Sequence, residues 1–237
     1  MTTLPNNDVQ LLANTAAVKI KATLGNGTFG SVFVAEKMKR KRGENKEFAF
    51  KVVSDLNETF NEYNLLHFLC QFPHDNIVRI VDDDSLIEKE NGNGFLMEFV
   101  AGGTLEDIIN TKIMSPALVH CMLLISGLKY IHGMHIAHTD IKFVNFFMTL
   151  SNILKIGDFG CSISILIESK LPEIVYTTLR SCFGTLGFCG PEAMYEGQNI
   201  EAFPCDVWSA GVVLLHMLLV RHSWGQACYK TDREYQR

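Results

Sequence analysis

The sequence predicts an α+β fold in two lobes, a small antiparallel β-sheet lobe with one helix followed by a mainly helical lobe. Three observations lead there. Residues 18 to 53 hold short β-branched runs broken by turn residues, the pattern of strands joined by hairpins. After "AGGTLEDII" the character changes, with a seam near residue 100, and "SPALVHCMLLISGLKYIHGM" reads as a long helix. "CDVWSAGVVLLHMLLV" is apolar all round, as a helix inside a core is. A chain of 237 residues accommodates two such lobes.

Taken in order, residues 1–17 are expected as an N-terminal tail, since "MTTLPNNDVQ" is polar and lacks the layout of a signal peptide. The small lobe covers 18–99. Its strands are "VKIKATL", "SVFVAEK" and "FAFKVV", then "IVRIVDDD" and "GFLMEFV", with "NETFNEYNLLHFLC" as its helix. The connector "KMKRKRGENKE" is a basic hairpin turn or, on a sharper reading, a nuclear-import signal. The helical lobe covers 100–237. "SPALVHCMLLISGLKYIHGM" is a long, mostly buried helix, followed by an irregular segment from about 161 to 190.

Composition excludes several classes. Hydrophobic residues make up 47% and charged residues 20% of the chain, as in folded soluble proteins. A net charge of −5 argues against a surface that grips nucleic acid or anionic lipid directly. The longest apolar run, "AGVVLLHMLLV", is short for a membrane span and contains His216. Seven scattered cysteines suit a reducing compartment. The expected setting is intracellular, nucleus or cytoplasm.

Three stretches carry chemistry. In "LGNGTFGSV", Leu24 to Val32, Gly25, Gly27 and Gly30 permit tight turns and let amide N–H groups approach phosphate oxygens. This spacing also occurs in dinucleotide-binding folds, where it opens a helix. Here "SVFVA" alternates as a strand, which suits a hairpin lying over a nucleotide. The second stretch is "FAFKVV". Lys51 is either a lysine snorkelling from a strand edge or a buried cation needing an anionic partner. Glu62 fits that role, followed at helical spacing by Leu66 and Leu69; Glu58, one turn earlier, competes. The third combines "HIAHTDIKFVN" with "LKIGDFG". Asp140, Asn145 and Asp158 offer the oxygen ligands that Mg²⁺ prefers.

In this order and near this spacing, the glycine loop, the strand lysine, H-x-D-x-K-x-x-N and D-F-G resemble the protein kinase family. The resemblance spans about residues 18 to 224. It implies a bilobal kinase fold that binds ATP with Mg²⁺ and phosphorylates protein substrates. Asp140 would orient the substrate hydroxyl and accept its proton. Lys142 would neutralise the transferring phosphoryl group, and Asn145 and Asp158 would hold the metal. Lys51, held by Glu62, would grip the α- and β-phosphates. Adenine would lie between Val32 and Ala49 above and Phe147 below, and bond to the backbone of Glu98 and Val100, with Met97 at the back and the 24–30 loop overhead. A cluster of His132, His135 and His138 around a softer metal gives way to a reading of His138 as packing near Phe159.

Lys142, two residues after Asp140, and "FGTLGFCGPE", with Thr185 placed to contact Asp140 and Lys142, resemble the serine/threonine branch. "HGMHIAHTDIK", "PCDVWSAGVVLLHML" and "SWGQAC" are similar to its DNA-damage checkpoint kinases, which implies a role in checkpoint or cell-cycle signalling.

The pattern has departures. Thr139 stands where most kinases have an arginine that receives an activation-segment phosphate, a bidentate contact threonine cannot make. Activity independent of that phosphate is therefore expected. Phe143 and Val144 alter the expected substrate-facing rim, Thr104 replaces a glutamate near the ribose, and Gly190 replaces an alanine before Pro191 and Glu192. The chain ends soon after Trp224, so the helical lobe is expected to be incomplete, with Glu192 lacking its family partner and an apolar patch exposed near "VVLLHMLLV". A partner covering that face is one expectation. The alternative function is a pseudokinase that binds ATP or acts as a scaffold with little or no catalysis.

Overall fold

The computed structural model describes residues 6–27, 30–38, 47–81, 86–90, 92–110, 117–164, 178–179, 184–194, 200–219 and 232. They fall into two compact units, one of Met1–His74 and Val78–Ala101, the other of Asp75–Ile77 and Gly102–Arg237. Most of the basic connector, Thr177 and Trp224 lie outside the described residues.

The first unit contains helix α1 (Asn6–Thr15), strands β1 (Val18–Gly27), β2 (Gly30–Lys37) and β3 (Glu47–Val53), helix α2 (Leu56–Gln71), and strands β4 (Ile87–Lys89) and β5 (Gly92–Glu98). The strands form one antiparallel sheet in the order β1-β2-β3-β5-β4. Cross-strand partners share a face and neighbours along a strand do not. Val32 lies opposite both Gly25 and Lys51, Lys51 opposite Phe95, and Ala49 opposite both Val34 and Met97. Val32, Val34, Ala49, Lys51, Phe95 and Met97 therefore occupy one face.

The alternate residues Ala35, Phe48, Phe50, Val52 and Leu96 form a buried core with Val9, Leu12 and Ala13 of α1. Residues 1–17 are thus more than the tail expected from sequence, because 6–15 are a helix that covers the sheet's second face. Only three inward apolar positions betray it in "NNDVQLLANT", too short a period to read. The helix ends where the Ala16 N–H donates to the Leu12 carbonyl at 2.9 Å and Ala17 adopts φ 53°, a left-handed cap that turns the chain into β1.

On α2, Thr59, Glu62, Leu66 and Leu69 are buried at helical spacing, and Tyr63 meets Phe95 edge-on with ring centroids 5.8 Å apart. "IVRIVDDD", expected as a strand, forms none among its described residues. Ile77 and Ile80 make isolated bridges to different partners, Ile156 and Met97 respectively, so no continuous ladder develops.

Among its described residues the second unit has helices α3 (Leu105–Asn110) and α4 (Ala117–Gly133), six short strands and helix α5 (Ala202–Leu219). The strands are β6 (Ile136–Ala137), β7 (Phe146–Met148), β8 (Leu154–Ile156), β9 (Ile163–Ser164), β10 (Thr178–Leu179) and β11 (Ile200–Glu201). They pair antiparallel as β6 with β9, β7 with β8 and β10 with β11. Tight 3-10 turns occupy Phe143–Asn145, Phe159–Cys161 and Pro191–Met194. Helix α5, at 18 residues, is long and apolar enough to cross a membrane, unlike the run "AGVVLLHMLLV" alone. It nevertheless buries Asp206, Ser209 and His216 together with Ala210, Val212, Val213 and Met217, which marks it as the core helix of this unit. Val207, Leu218 and Leu219 are exposed on it.

Candidate active site

In the first unit, Lys51 Nζ and Glu62 Oε2 are 2.6 Å apart, with both side chains almost fully buried. Neither charge is tolerable there alone, because desolvating a single ion costs several kcal/mol. Strand β3 aims the lysine to the face opposite α1, and the inward stripe of α2 presents Glu62. Of Glu58, the side chain lies outside the described residues.

Residues after Gly30 form strand β2 and not a helix, which excludes the dinucleotide fingerprint. Gly27 pairs with Gly30 at the hairpin end. The fold itself requires Gly30: at φ 125°, an added Cβ would lie 2.2 Å from the Val52 carbonyl oxygen. Among the described residues, Gly25 and Gly27 meet no such obstacle, with no atom nearer than 3.9 Å to an added Cβ. Their bareness answers no packing need and leaves the backbone approachable. Leu24 falls at a register shift between Thr23 and Gly25 and is half-exposed. Val32 is half-buried; Ala49 and Met97 are buried. The Glu98 N–H donates to the Arg79 carbonyl at 2.9 Å, and the Glu98 carboxylate accepts from the Arg79 N–H at 2.9 Å. Val100, two residues on, is half-buried.

In the second unit, Asp140 is the hub. Its Oδ1 accepts from the Thr185 hydroxyl at 2.9 Å, and its Oδ2 lies 2.7 Å from Lys142 Nζ. Asn145 Nδ2 donates to the same Oδ2 at 3.2 Å and to the Asp140 carbonyl at 2.8 Å. Lys142 Nζ also donates to Thr185 Oγ1 at 3.0 Å. Phe147 is half-buried on β7 opposite Lys155.

The donor set fits a hard cation. Because the Asn145 amide nitrogen is committed to Asp140, its carbonyl oxygen is the face left for a metal. Asp158, half-buried at φ 59° and ψ 69°, supplies a carboxylate at the start of the 159–161 turn. Mg²⁺ is commonly held by one or two protein oxygens plus substrate phosphates. No group of three or more His, Cys, Asp or Glu suited to a metal occurs among the described residues. The three histidines are otherwise engaged or exposed. His132 Nε2 is 2.9 Å from Asp206 Oδ2, and His138 Nε2 is 3.0 Å from the Gly157 carbonyl oxygen with its ring 5.1 Å from that of Phe159. His135 is exposed.

Asp206 escaped the sequence reading. Its carboxylate accepts from the His138 N–H and the Thr139 N–H, both at 2.7 Å, and contacts His132. A lone acidic residue in an apolar helix was the available signal, since a buried carboxylate needs donors.

The departures are also resolved. Phe143 does not face a substrate rim; it is buried edge-on to Phe188 at 5.2 Å and stacked on His216 at 5.5 Å. Thr104 caps α3: its N–H and hydroxyl donate to Asp107 Oδ2 at 2.9 and 2.7 Å, and its Oγ1 accepts from the Asp107 N–H at 3.2 Å. The Thr104 donors hold the Asp107 carboxyl below its ordinary pKa. An alanine at Gly190 would place its Cβ 2.5 Å from Glu192 Oε1, so the glycine makes room for that carboxylate. Glu192 has a local partner after all, since the Cys205 thiol donates to its Oε1 at 3.5 Å. Burial, then the nearby Glu192 charge, pushes the Cys205 pKa up to about 12.

The fold and these residues define a protein kinase domain, and the family's sequence model matches residues 18–236. The chain belongs to the protein kinase family. Among characterised proteins it is similar to the serine/threonine-protein kinase chk-1 of Caenorhabditis briggsae, 33% identical over 215 residues, covering 88% of this chain and 42% of that protein. The chk-1 kinase of Caenorhabditis elegans is 34% identical over 224 residues, covering 88% and 41%. The mitogen-activated protein kinase kinase kinase nsy-1 of Caenorhabditis elegans is 32% identical over 207 residues, covering 83% and 13%. The chain thus spans about two-fifths of the length of the chk-1 kinases.

Proposed function

We propose that the chain transfers the γ-phosphoryl group of ATP to serine or threonine hydroxyls of protein substrates. The observation that carries this reading is the bonding of Asp140. A carboxylate offers about four lone-pair positions, and Thr185, Lys142 and Asn145 occupy three of them. The remaining position is where a substrate hydroxyl would bond and deliver its proton. Lys142, already beside Asp140, supplies positive charge where the transferring group passes. Lys51 binds the α- and β-phosphates while Glu62 fixes its direction, and the bare backbone at Gly25 and Gly27 admits phosphate oxygens. Val32, Ala49, Met97, Glu98, Val100 and Phe147 take the adenine, with Leu24 at the mouth. Asn145 and Asp158 hold Mg²⁺, which when bound neutralises charge on the phosphates. Little covalent chemistry is asked of the protein, whose part is positioning and electrostatics.

Similarity to the two chk-1 kinases, together with the segments around the catalytic loop and α5, supports extending the proposal to checkpoint signalling inside the cell. A transfer assay with radiolabelled ATP and a mixed serine/threonine peptide library tests the chemistry. Label should appear with the wild-type chain and fall by at least about a thousandfold with Asp140→Ala, the scale of losing a general base with its hydroxyl alignment. Equal labelling by both proteins would overturn the assignment. Mg-ATP binding without transfer by wild type would make the chain a binding module instead.

A further inference from the structure

Thr139 immediately precedes Asp140 and is buried. Its backbone lies at φ 60°, in the left-handed region where a β-branched residue is out of place. On backbone grounds alone, glycine or asparagine suits this position better. The side chain and its neighbours show what the threonine contributes. Its hydroxyl donates to the Cys161 carbonyl oxygen at 2.7 Å. Cys161 closes the 3-10 turn that begins directly after Asp158, and carbonyls at the end of such a turn lack partners within it. From the other side, the Thr139 N–H is held by Asp206 Oδ1 on the core helix. Two further bonds join the same segments, His138 Nε2 with the Gly157 carbonyl oxygen and the Ser162 hydroxyl donating to the His138 carbonyl at 3.3 Å. The Thr139 bond takes hold of the turn's own last residue, Cys161, next to the bond from Ser162 that follows it, and it comes from the residue immediately before Asp140.

We propose that the Thr139 hydroxyl is a positioning group for Asp158. It latches the turn behind Asp158 to the catalytic loop, so that the carboxylate meant for Mg²⁺ keeps a fixed place relative to Asp140. The contact is made by an uncharged side chain of the loop itself and needs no phosphate. The latch stands on geometry, and its consequence for metal use rests on the phosphotransfer reading.

Three full-chain variants separate the hydroxyl from the backbone: Thr139→Val removes it at nearly constant shape, Thr139→Ser keeps it, and Thr139→Gly removes it while relieving the backbone. Hydrogen–deuterium exchange of amides 159–162, without nucleotide or metal, reads the latch directly. Kinetics against Mg²⁺ concentration read its consequence. Valine and glycine should both speed that exchange and raise the Mg²⁺ needed for half-maximal rate by roughly three- to tenfold, the scale of one hydrogen bond. The peptide KM should stay unchanged, serine should stay near wild type, and glycine should be at least as heat-stable as valine. If valine does not fold, glycine against serine carries the comparison. Wild-type exchange in the variants lacking the hydroxyl would overturn the latch even if the chain transfers phosphate. Accelerated exchange in a chain that transfers no phosphate would keep the latch and remove the phosphotransfer reading.

Discussion

Lys51 and Glu62 form a pair that neither member could leave without loss. Lys51→Met would strand a carboxylate that is 1% exposed, and removing one member of a buried pair costs about 3–5 kcal/mol. Adding Glu62→Leu should recover most of that stability without restoring ATP binding, and urea unfolding of the single and double variants measures it. Thr139 sets a second expectation at this scale. Its hydroxyl is buried and already donating, so it offers nothing to an activation-segment phosphate. Fully dephosphorylated protein should therefore turn over at the rate of untreated protein. An inactive dephosphorylated chain, restored by phosphate at Thr177 or Thr178, would refute this. Single residues were the most legible part of the sequence, because a lysine inside "FAFKVV" or a glycine beside a strand stands out by chemistry. Asp206 and the inward turn of Phe143 were not legible, since both depend on partners more than forty residues away in the chain.

Among elements, α1 shows where local reading runs out. It is only ten residues long and starts in a polar stretch, and its docking follows from Phe48, Phe50 and Val52, whose face needs cover. Leu12 is 1% exposed, so Leu12→Ala should lower stability by about 2–5 kcal/mol, whereas the half-exposed neighbour Leu11 should tolerate alanine with little change. Chemical denaturation of the two variants distinguishes a docked helix from a loose tail. Strands β1 to β3 were legible as β-branched runs between turn residues, α2 by its helical spacing, and α4 and α5 as long runs that are apolar nearly all round. "IVRIVDDD" was not, since apolar pattern alone cannot tell a ladder from two separate bridges.

For the molecule as a whole, acid stability should depend on His120. It is buried on α4, and neither ring nitrogen has a hydrogen-bond partner among the described residues. Burial holds its pKa below the ordinary 6.5. The folded chain keeps the ring neutral while the unfolded chain protonates it, so the unfolded state binds more protons below about pH 6.5. Stability from this group is complete above that pH and declines as acid is added. Melting temperatures from pH 7.5 to 5.5 should fall more steeply for wild type than for His120→Leu, and parallel curves would dismiss the effect. The α+β arrangement was legible from the change near residue 100 from β-branched runs to long apolar helices, and the two units divide at Ala101 and Gly102. The exchange of Asp75–Ile77 into the second unit was not, because it rests on bonds such as that from the Asn76 amide to the Leu154 carbonyl.

One carboxylate on α5 holds His132, His138 and Thr139 at once. A screen for inactive alleles should therefore recover lesions at Asp206 as readily as in the loop it anchors, although in the proposed chemistry it never meets a reactant.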